Sequence, residues 1–400
     1  MRILHTSDWH LGRRLKEHDR SDEFRRFFKW LECIIDSEKP NALIVSGDVF
    51  NNVNPTVEAQ EMYYSFLGKI AGKSCRNIVI IAGNHDSAPF IDAPSGIMRR
   101  CKIHVIGCAS PNEIITINDS QGRPEMIVCA VPFLRDSDVR TVRADDTFAE
   151  VEREIKAGIM RHYAEIFERA REIRGESEIP IVATGHLFLE AGRTQIGEGE
   201  HSMYLGTAIK VGTDIFPEDI AYTALGHLHS PQKVGRENIR YSGSPIAMTF
   251  GELGTQKSVS IVDFDGRNFA GVREIHVPVW QEMRKISGDM AEIERRLKEL
   301  SELDELVWVE VAYTGHESPG NLQERIDEIA KDCQNVEVLS VIDERQYFVY
   351  TPEFSGKKLE DISLEKMFEH LMNSRNVSKE KREIFKEMYF EIINNINSGK

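Results

Sequence analysis

Four hundred residues, 41% hydrophobic and 29% charged, describe a globular chain too long for one ordinary core, so two or three domains are expected. A formal net charge of −15 argues against binding nucleic acid through a generally basic surface, although it excludes nothing where bound divalent cations supply the positive charge. The opening MRILHTSDWH has no charged-then-apolar leader, no apolar run approaches the ~18 residues of a membrane span, and the six cysteines are scattered without a CxxC pair; a cytoplasmic protein with reduced thiols and no membrane contact is expected.

Short runs rich in Val and Ile, bounded by Gly, Pro or Asp, predict buried strands at Ile3–His5, Ala42–Val45, Ile78–Ala82, Ile127–Val131, Ile181–Ala183, Ala221–Leu225 and Val259–Phe264. Between them, Phe24, Phe27, Phe28, Leu31, Ile34 and Ile35 follow helical spacing, as do Ala59, Tyr63, Phe66, Leu67 and Ile70, and later Val151, Ile155, Tyr163, Ile166, Phe167 and Ala170. This alternation predicts a layered α/β domain over residues 1–277. Beyond Val277-Pro278, residues 278–350 read as a smaller βαβαβ unit. Its strands are expected at Trp280–Ile286, Leu306–Ala312 and Val336–Ile342, with helices at Met290–Leu300 and Leu322–Ala330. After a break at Thr351-Pro352 and Ser355-Gly356, residues 351–400 carry two apolar stripes expected on two helices. One comprises Leu364, Met367, Phe368, Leu371 and Met372; the other comprises Ile384, Phe385, Met388, Tyr389, Ile392, Ile393 and Ile396.

Several of the strand runs end in residues that suit metal ions. Asp8-Trp9-His10, Gly47-Asp48, Gly83-Asn84-His85-Asp86, Gly185-His186 and Gly226-His227-Leu228-His229 each follow one. Binding sites of layered α/β folds collect at the carboxyl ends of strands, and glycine before a ligand permits close backbone approach. Each motif alone also reads as something bland: Asp-x-His and Gly-Asp as turns, Asn-His-Asp as an Asx turn, His186 as a satisfied core histidine. His227 and His229 are stronger, because i, i+2 residues of extended chain point to one side. Together the motifs offer carboxylate, amide and imidazole donors, a mixture suited to Mn²⁺ or Fe²⁺ and larger than one tetrahedral ion accepts. Two ions about 3.5–4 Å apart can clamp the attacking and leaving oxygens of a phosphate ester, so phosphoester hydrolysis is the expected chemistry.

The ordered set DWH, GD, GNHD, GH and GHLH resembles the calcineurin-like metallophosphoesterase superfamily. The longer wording MRILHTSDWHLGR, ALIVSGDVFN, IIAGNHDS, VATGHL, ALGHLHSPQ and RYSGSPIAMTFGE resembles its SbcD family, the nuclease subunits of SbcCD complexes. The resemblance implies a layered β-sandwich flanked by helices, with a small α+β capping domain and a C-terminal helical tail. It implies one metal held by Asp8, His10, Asp48 and His229 and a second held by Asp48, Asn84, His186 and His227, with His85 as a catalytic histidine that is not a ligand. The metals implied are two Mn²⁺ per chain, with Mg²⁺ or Fe²⁺ as alternatives. The activity implied is 3′–5′ exonuclease on double-stranded DNA ends and endonuclease on hairpins or single strands. Partners implied are a coiled-coil SbcC-like ATPase gripped by residues 355–397 and a second copy of the chain, within a nucleoid-associated heterotetramer. Archaeal and eukaryotic relatives carry a further histidine after the GD motif, where this chain has Phe50-Asn51-Asn52; no role of that histidine transfers.

Other residues take weaker expectations. Asp86 either orients His85 or stabilises its turn; Arg13 and Arg14 either meet phosphate or are simply solvated. Arg193 and His201 lie on a polar loop, Glu190–Tyr204, able to touch substrate. Ser244, in Gly243-Ser244-Pro245, shapes the floor of the site without acting as a nucleophile, and His5 is structural. The rival functions are a phosphatase or small-molecule phosphodiesterase using the same metals, and a scaffold that has lost catalysis.

Overall fold

Alternation within each apolar run decides the layers, since neighbouring residues of a strand face opposite sides. The computed structural model describes residues 1–72, 75–140, 148–190, 192–193, 209–315 and 320–344, with residues 372, 382, 385 and 386. Two six-stranded sheets stack in it. The first runs in the order Asn268–His276, Ser258–Asp265, Arg2–Thr6, Ala42–Ser46, Asn77–Ile81, Ile103–Ile106. The second runs Gln232–Val234, Arg236–Tyr241, Tyr222–Gly226, Ile181–His186, Pro124–Cys129, Ile114–Asn118. Adjacent central strands of both sheets are parallel, so their carboxyl ends share one edge.

Ala42, Ile44, Val79 and Ile81 point into the layer between the sheets, where they meet Val128, Val182 and Ala224. Leu43, Val45, Ile78 and Ile80 point the other way, beneath the helices Ser21–Glu38 and Val57–Ile70. On the second sheet Ile127, Cys129, Ile181 and Ala183 face the helix Phe148–Arg174. The result is a helix–sheet–sheet–helix sandwich. Thr56 caps the second helix, its hydroxyl accepting from the Ala59 amide at 3.2 Å, and Lys39 closes the first in a left-handed conformation with φ 49°.

A third sheet, Glu282–Gly288, Val307–Tyr313 and Val336–Asp343, is parallel throughout and joined by the helices Met290–Ser301 and Leu322–Lys331. Its odd positions, Val307, Val309 and Val311, lie under these helices with Ile293, Leu297 and Ile326. The opposite face turns Met283, Trp308 and Leu339 onto Leu15 and Phe250 of the larger sandwich. The expected strand at Trp280 begins two residues later, at Glu282. Trp280 packs instead against the helix-covered core of the first sheet.

The sandwich also contains strands that the apolar runs do not announce, among them Asn268–His276, whose mostly half-exposed and exposed residues lie on a sheet edge. All six cysteines are free thiols, and among the described residues no helix is long and apolar enough to cross a membrane. The stripes expected on C-terminal helices, except Met372 and Phe385, and all of the Glu190–Tyr204 loop except Glu190, Gly192 and Arg193, lie outside the described residues.

Candidate metal centre

Trp9 explains the first ligand loop. It is fully buried against Phe28 and Phe66, with ring centroids 5.1 and 5.7 Å away, and its indole N–H donates to Thr6 Oγ1 at 3.0 Å. With Trp9 anchored under the helices, Asp8 and His10 on either side take positive φ, 52° and 48°. Asp48 and His227 do likewise, at 49° and 100°. Such conformations cost non-glycine residues about 1 kcal/mol or more each, and they concentrate at functional sites. Backbone bonds zip the first two loops together: the amides of Asp8, His10 and Leu11 donate to the carbonyls of Gly47, Asp48 and Val49 at 2.9–3.0 Å.

Close approach requires the glycines that precede the ligands. A methyl group on Gly83 would strike the Asp48 carboxylate, 2.7 Å from its carbon, and one on Gly226 would strike the Ser46 carbonyl. The loops therefore converge as expected, with one difference. The positive φ at His227 breaks the extended geometry, so the two histidines of GHLH reach different neighbours. His227 Nδ1 lies 3.1 Å from Asn84 Oδ1, and His229 Nε2 lies 3.1 Å from His10 Nε2.

The cluster is a convergence of electron-pair donors. His186 gives its Nδ1 proton to the Ser46 carbonyl at 2.9 Å, which turns Nε2 toward Asn84 Oδ1 at 3.0 Å and Asp48 Oδ2 at 3.3 Å. His229 gives its Nδ1 proton to Glu252 Oε1 at 3.0 Å, so its Nε2 also faces the cluster. Asp48 Oδ2 stands 3.5 Å from His10 Nε2 as well. Ligand atoms of Asp8, His10 and His229 lie within 4.8 Å of one another, and so do those of Asp8, Asp48 and His186. His10 Nδ1 is buried with no hydrogen-bond partner.

Such a pocket needs positive charge. Burial works to raise the Asp48 carboxyl, but the imidazoles of His186, His10 and His85 outweigh it and hold the group well below the carboxylate range. Burial would depress His186, yet Asp48 and Asp8 together pull it up to about 9, while burial beside His186 drives His227 down to about 3. Without a metal, a proton on His186 answers the carboxylates. A divalent ion would answer both carboxylates and accept the Asn84 oxygen as well. The residues therefore fit divalent metal ions.

Around the cluster, His85 sits edge-on to His10, 4.9 Å between centroids, and its Nδ1 donates to the Asn51 carbonyl at 3.0 Å. Asp86 directs its carboxylate to backbone amides: Val49 at 3.1 Å, Phe50 at 2.9 Å and Gly83 at 2.8 Å. These bonds tie the GD and GNHD loops together and leave the orientation of His85 to Asn51. Asp86→Ala is expected to lower stability by about 3 kcal/mol, since it orphans several buried amides; equilibrium urea unfolding measures this. Arg13, half-buried, has Nη1 3.5 Å from Asn51 Oδ1, close to His85. Arg193 is exposed and pinned by backbone bonds to Gln232 at 2.8–2.9 Å. Ser244 is fully buried and donates to the Ile246 carbonyl at 2.9 Å. His5 lies buried between the hydroxyls of Tyr222 and Ser46.

Sequence reasoning missed Glu252, the final residue of RYSGSPIAMTFGE, and Lys257, which donates to Glu252 Oε2 at 2.5 Å. Burial alone would raise the Glu252 carboxyl, but His229 and Lys257 hold it well below the usual range. An acid and a base five residues apart look like surface charges in a sequence; only packing shows them buried at 0% and 6% exposure.

Residues 1–231, more than half of the chain, match the calcineurin-like phosphoesterase family, and residues 279–376 match the type 5 capsule protein repressor C-terminal domain, SbcD_C. Proteins named as the SbcD component of the SbcCD nuclease are similar over most of their length. That of Escherichia coli K12 is 34% identical over 349 residues, 85% of this chain and 84% of its own. That of Rhodobacter capsulatus is 35% identical over 288 residues, covering 70% and 69%. That of Bacillus subtilis 168 is 29% identical over 392 residues, covering 92% and 97%. With its donor cluster at the shared edge of two stacked sheets, this chain belongs to the calcineurin-like phosphoesterases and, within them, to the SbcD family of SbcCD nuclease components.

Proposed function

We propose that this chain is a Mn²⁺-dependent DNA nuclease, a 3′–5′ exonuclease at double-stranded ends and an endonuclease on hairpins or single strands. One observation carries the reading: carboxylate, amide and imidazole groups from loops of both sheets converge on one another, in a chain of this family. Asp8, His10, Asp48 and His229 would hold one ion, and Asp48, Asn84, His186 and His227 would hold the other. Carboxylate, amide and imidazole donors favour Mn²⁺, with Mg²⁺ or Fe²⁺ as alternatives. When bound, the ions supply Lewis acidity and make water nucleophilic near neutral pH. The Ser46 carbonyl and Glu252 fix the tautomers of His186 and His229 so that each turns Nε2 toward the cluster. His85, held at Nδ1 by the Asn51 carbonyl, gives a proton from Nε2 to the departing oxygen.

Residues 278–350 cap the site and select DNA. The packing of Trp308 and Met283 on Leu15 and Phe250, both close in sequence to site residues, supports this role. Residues 351–400, through 355–397, grip an SbcC-like coiled-coil ATPase by the docking of amphipathic helices into an apolar groove. The chain works as a homodimer in a cytoplasmic, nucleoid-associated heterotetramer serving repair and recombination.

Purified protein with Mn²⁺ is expected to cleave duplex ends and hairpins in preference to a chromogenic phosphate monoester. A chain ending at Pro352 is expected to retain that preference and lose co-purification with the ATPase. Activity on the monoester alone sinks the nuclease reading, and undiminished ATPase binding sinks the role of the tail.

A further inference from the structure

The ring of His229 is held by a side chain, whereas that of His186 is held by a backbone carbonyl. Glu252 is fully buried, and its two oxygens have separate tasks. Oε1 takes the Nδ1 proton of His229 at 3.0 Å; Oε2 accepts from Lys257 Nζ at 2.5 Å and the Met248 amide at 3.0 Å. Lys257 also donates to the His229 backbone carbonyl at 2.9 Å and to Ser244 Oγ at 2.9 Å. The network therefore closes on His229 from both its ring and its backbone.

Glu252 ends a single turn, Phe250–Glu252, which is too short to hold itself in place. One flank of that turn borders a cavity of about 290 Å³ lined by Arg20, Glu252, Lys257, Trp280, Met283 and Arg284. The other flank is Phe250, buried among Leu15, Met283 and Trp308. With open space on one flank, the third sheet supplies the packing that keeps the turn in register.

We propose that Glu252 is a positioning residue for His229, and that the third sheet braces it through Phe250. The seating of the C-terminal unit thereby sets the affinity of one metal position and leaves the other untouched. This rests on the assignment of His229 as a ligand in the proposed function. A buried ion pair serving only the fold would be replaceable without any change in metal binding.

The test is calorimetric titration of the full-length, chelator-treated chain with Mn²⁺ and no nucleic acid. Wild type is expected to bind two ions, and His229→Ala to lose one. Glu252→Gln, which keeps an acceptor oxygen, weakens that same position by about 10- to 100-fold, and Glu252→Ala weakens it further. Trp308→Ala weakens it by a smaller factor, and Glu252→Ala with Trp308→Ala together do no more than Glu252→Ala alone, because the brace then has nothing to position. The affinity of the second position stays at the wild-type value, while the unfolding midpoint of metal-free Glu252→Gln falls because Lys257 is left as a buried unpaired charge. Equal weakening of both positions, or unaltered affinity in both Glu252 variants when His229→Ala loses one ion, overturns the positioning role. Additivity of Glu252→Ala and Trp308→Ala overturns the brace. A wild type that binds no pair of ions, or a His229→Ala variant that keeps both, overturns the ligand assignment itself and this inference with it.

Discussion

Asp48→Ala is expected to abolish metal-dependent DNA cleavage, lowering the rate by at least about 10⁴-fold, or about 5.5 kcal/mol of lost transition-state stabilisation. The size follows from where the carboxylate stands. Oδ2 lies 3.3 Å from His186 Nε2 and 3.5 Å from His10 Nε2, which belong to the two proposed ligand sets, and Oδ1 accepts the His85 amide proton at 2.9 Å. Removing it takes the shared negative charge from both positions and frees the backbone that carries His85. Asp48→Asn, which keeps the shape and the Oδ1 acceptor, separates these effects: it retains the His85 contact and still loses the charge. Both variants are expected to fold and to lose the rise in unfolding temperature that Mn²⁺ gives wild type, because a ligand stabilises only in proportion to its occupancy. Thermal unfolding with and without Mn²⁺, beside metal content after gel filtration, measures this. A variant at Asp48 that still gains full stability from Mn²⁺ and still cuts DNA removes the carboxylate from the centre.

The sandwich was legible where burial is two-sided. A parallel strand covered on both faces must be continuously apolar, and Ala42–Val45 and Ile181–Ala183 announce themselves for that reason. Edge strands such as Asn268–His276 have one exposed flank and no such run. The βαβαβ unit was legible nearly residue by residue, since each helix has its own apolar stripe and the strands Val307–Tyr313 and Val336–Asp343 carry recurring Val. At the metal centre the converging motifs were legible because glycine and ligand follow one another directly along the chain. What holds them was not. The Ser46 and Asn51 carbonyls belong to the backbone, which no side-chain pattern reveals, and Glu252 lies 23 residues from His229 in sequence. Asp86 illustrates the same limit: beside His85 in the chain, it spends its charge on amides of the neighbouring loop.

His85→Gln is expected to lower DNA cleavage by about 10²- to 10⁴-fold, the usual worth of a positioned acid, while leaving two Mn²⁺ bound. The separation from Asp48 is geometric. The His85 ring is fixed at Nδ1 by the Asn51 carbonyl at 3.0 Å and stacks edge-on to His10, so its removal takes no oxygen from the cluster. Metal loss and acid loss also differ in how they respond to the leaving group. A deoxyribose alkoxide is a poor leaving group and needs a proton, whereas a nitrophenolate departs without one. The deficit of His85→Gln should therefore shrink to a few-fold on a bis-nitrophenyl phosphodiester, and that of Asp48→Ala should persist on both substrates. Single-turnover rates on the two substrates, taken at saturating Mn²⁺, decide the matter. Equal deficits for His85→Gln on DNA and on the activated diester would move His85 from proton donor to phosphate contact, because a lost contact is felt whatever group departs.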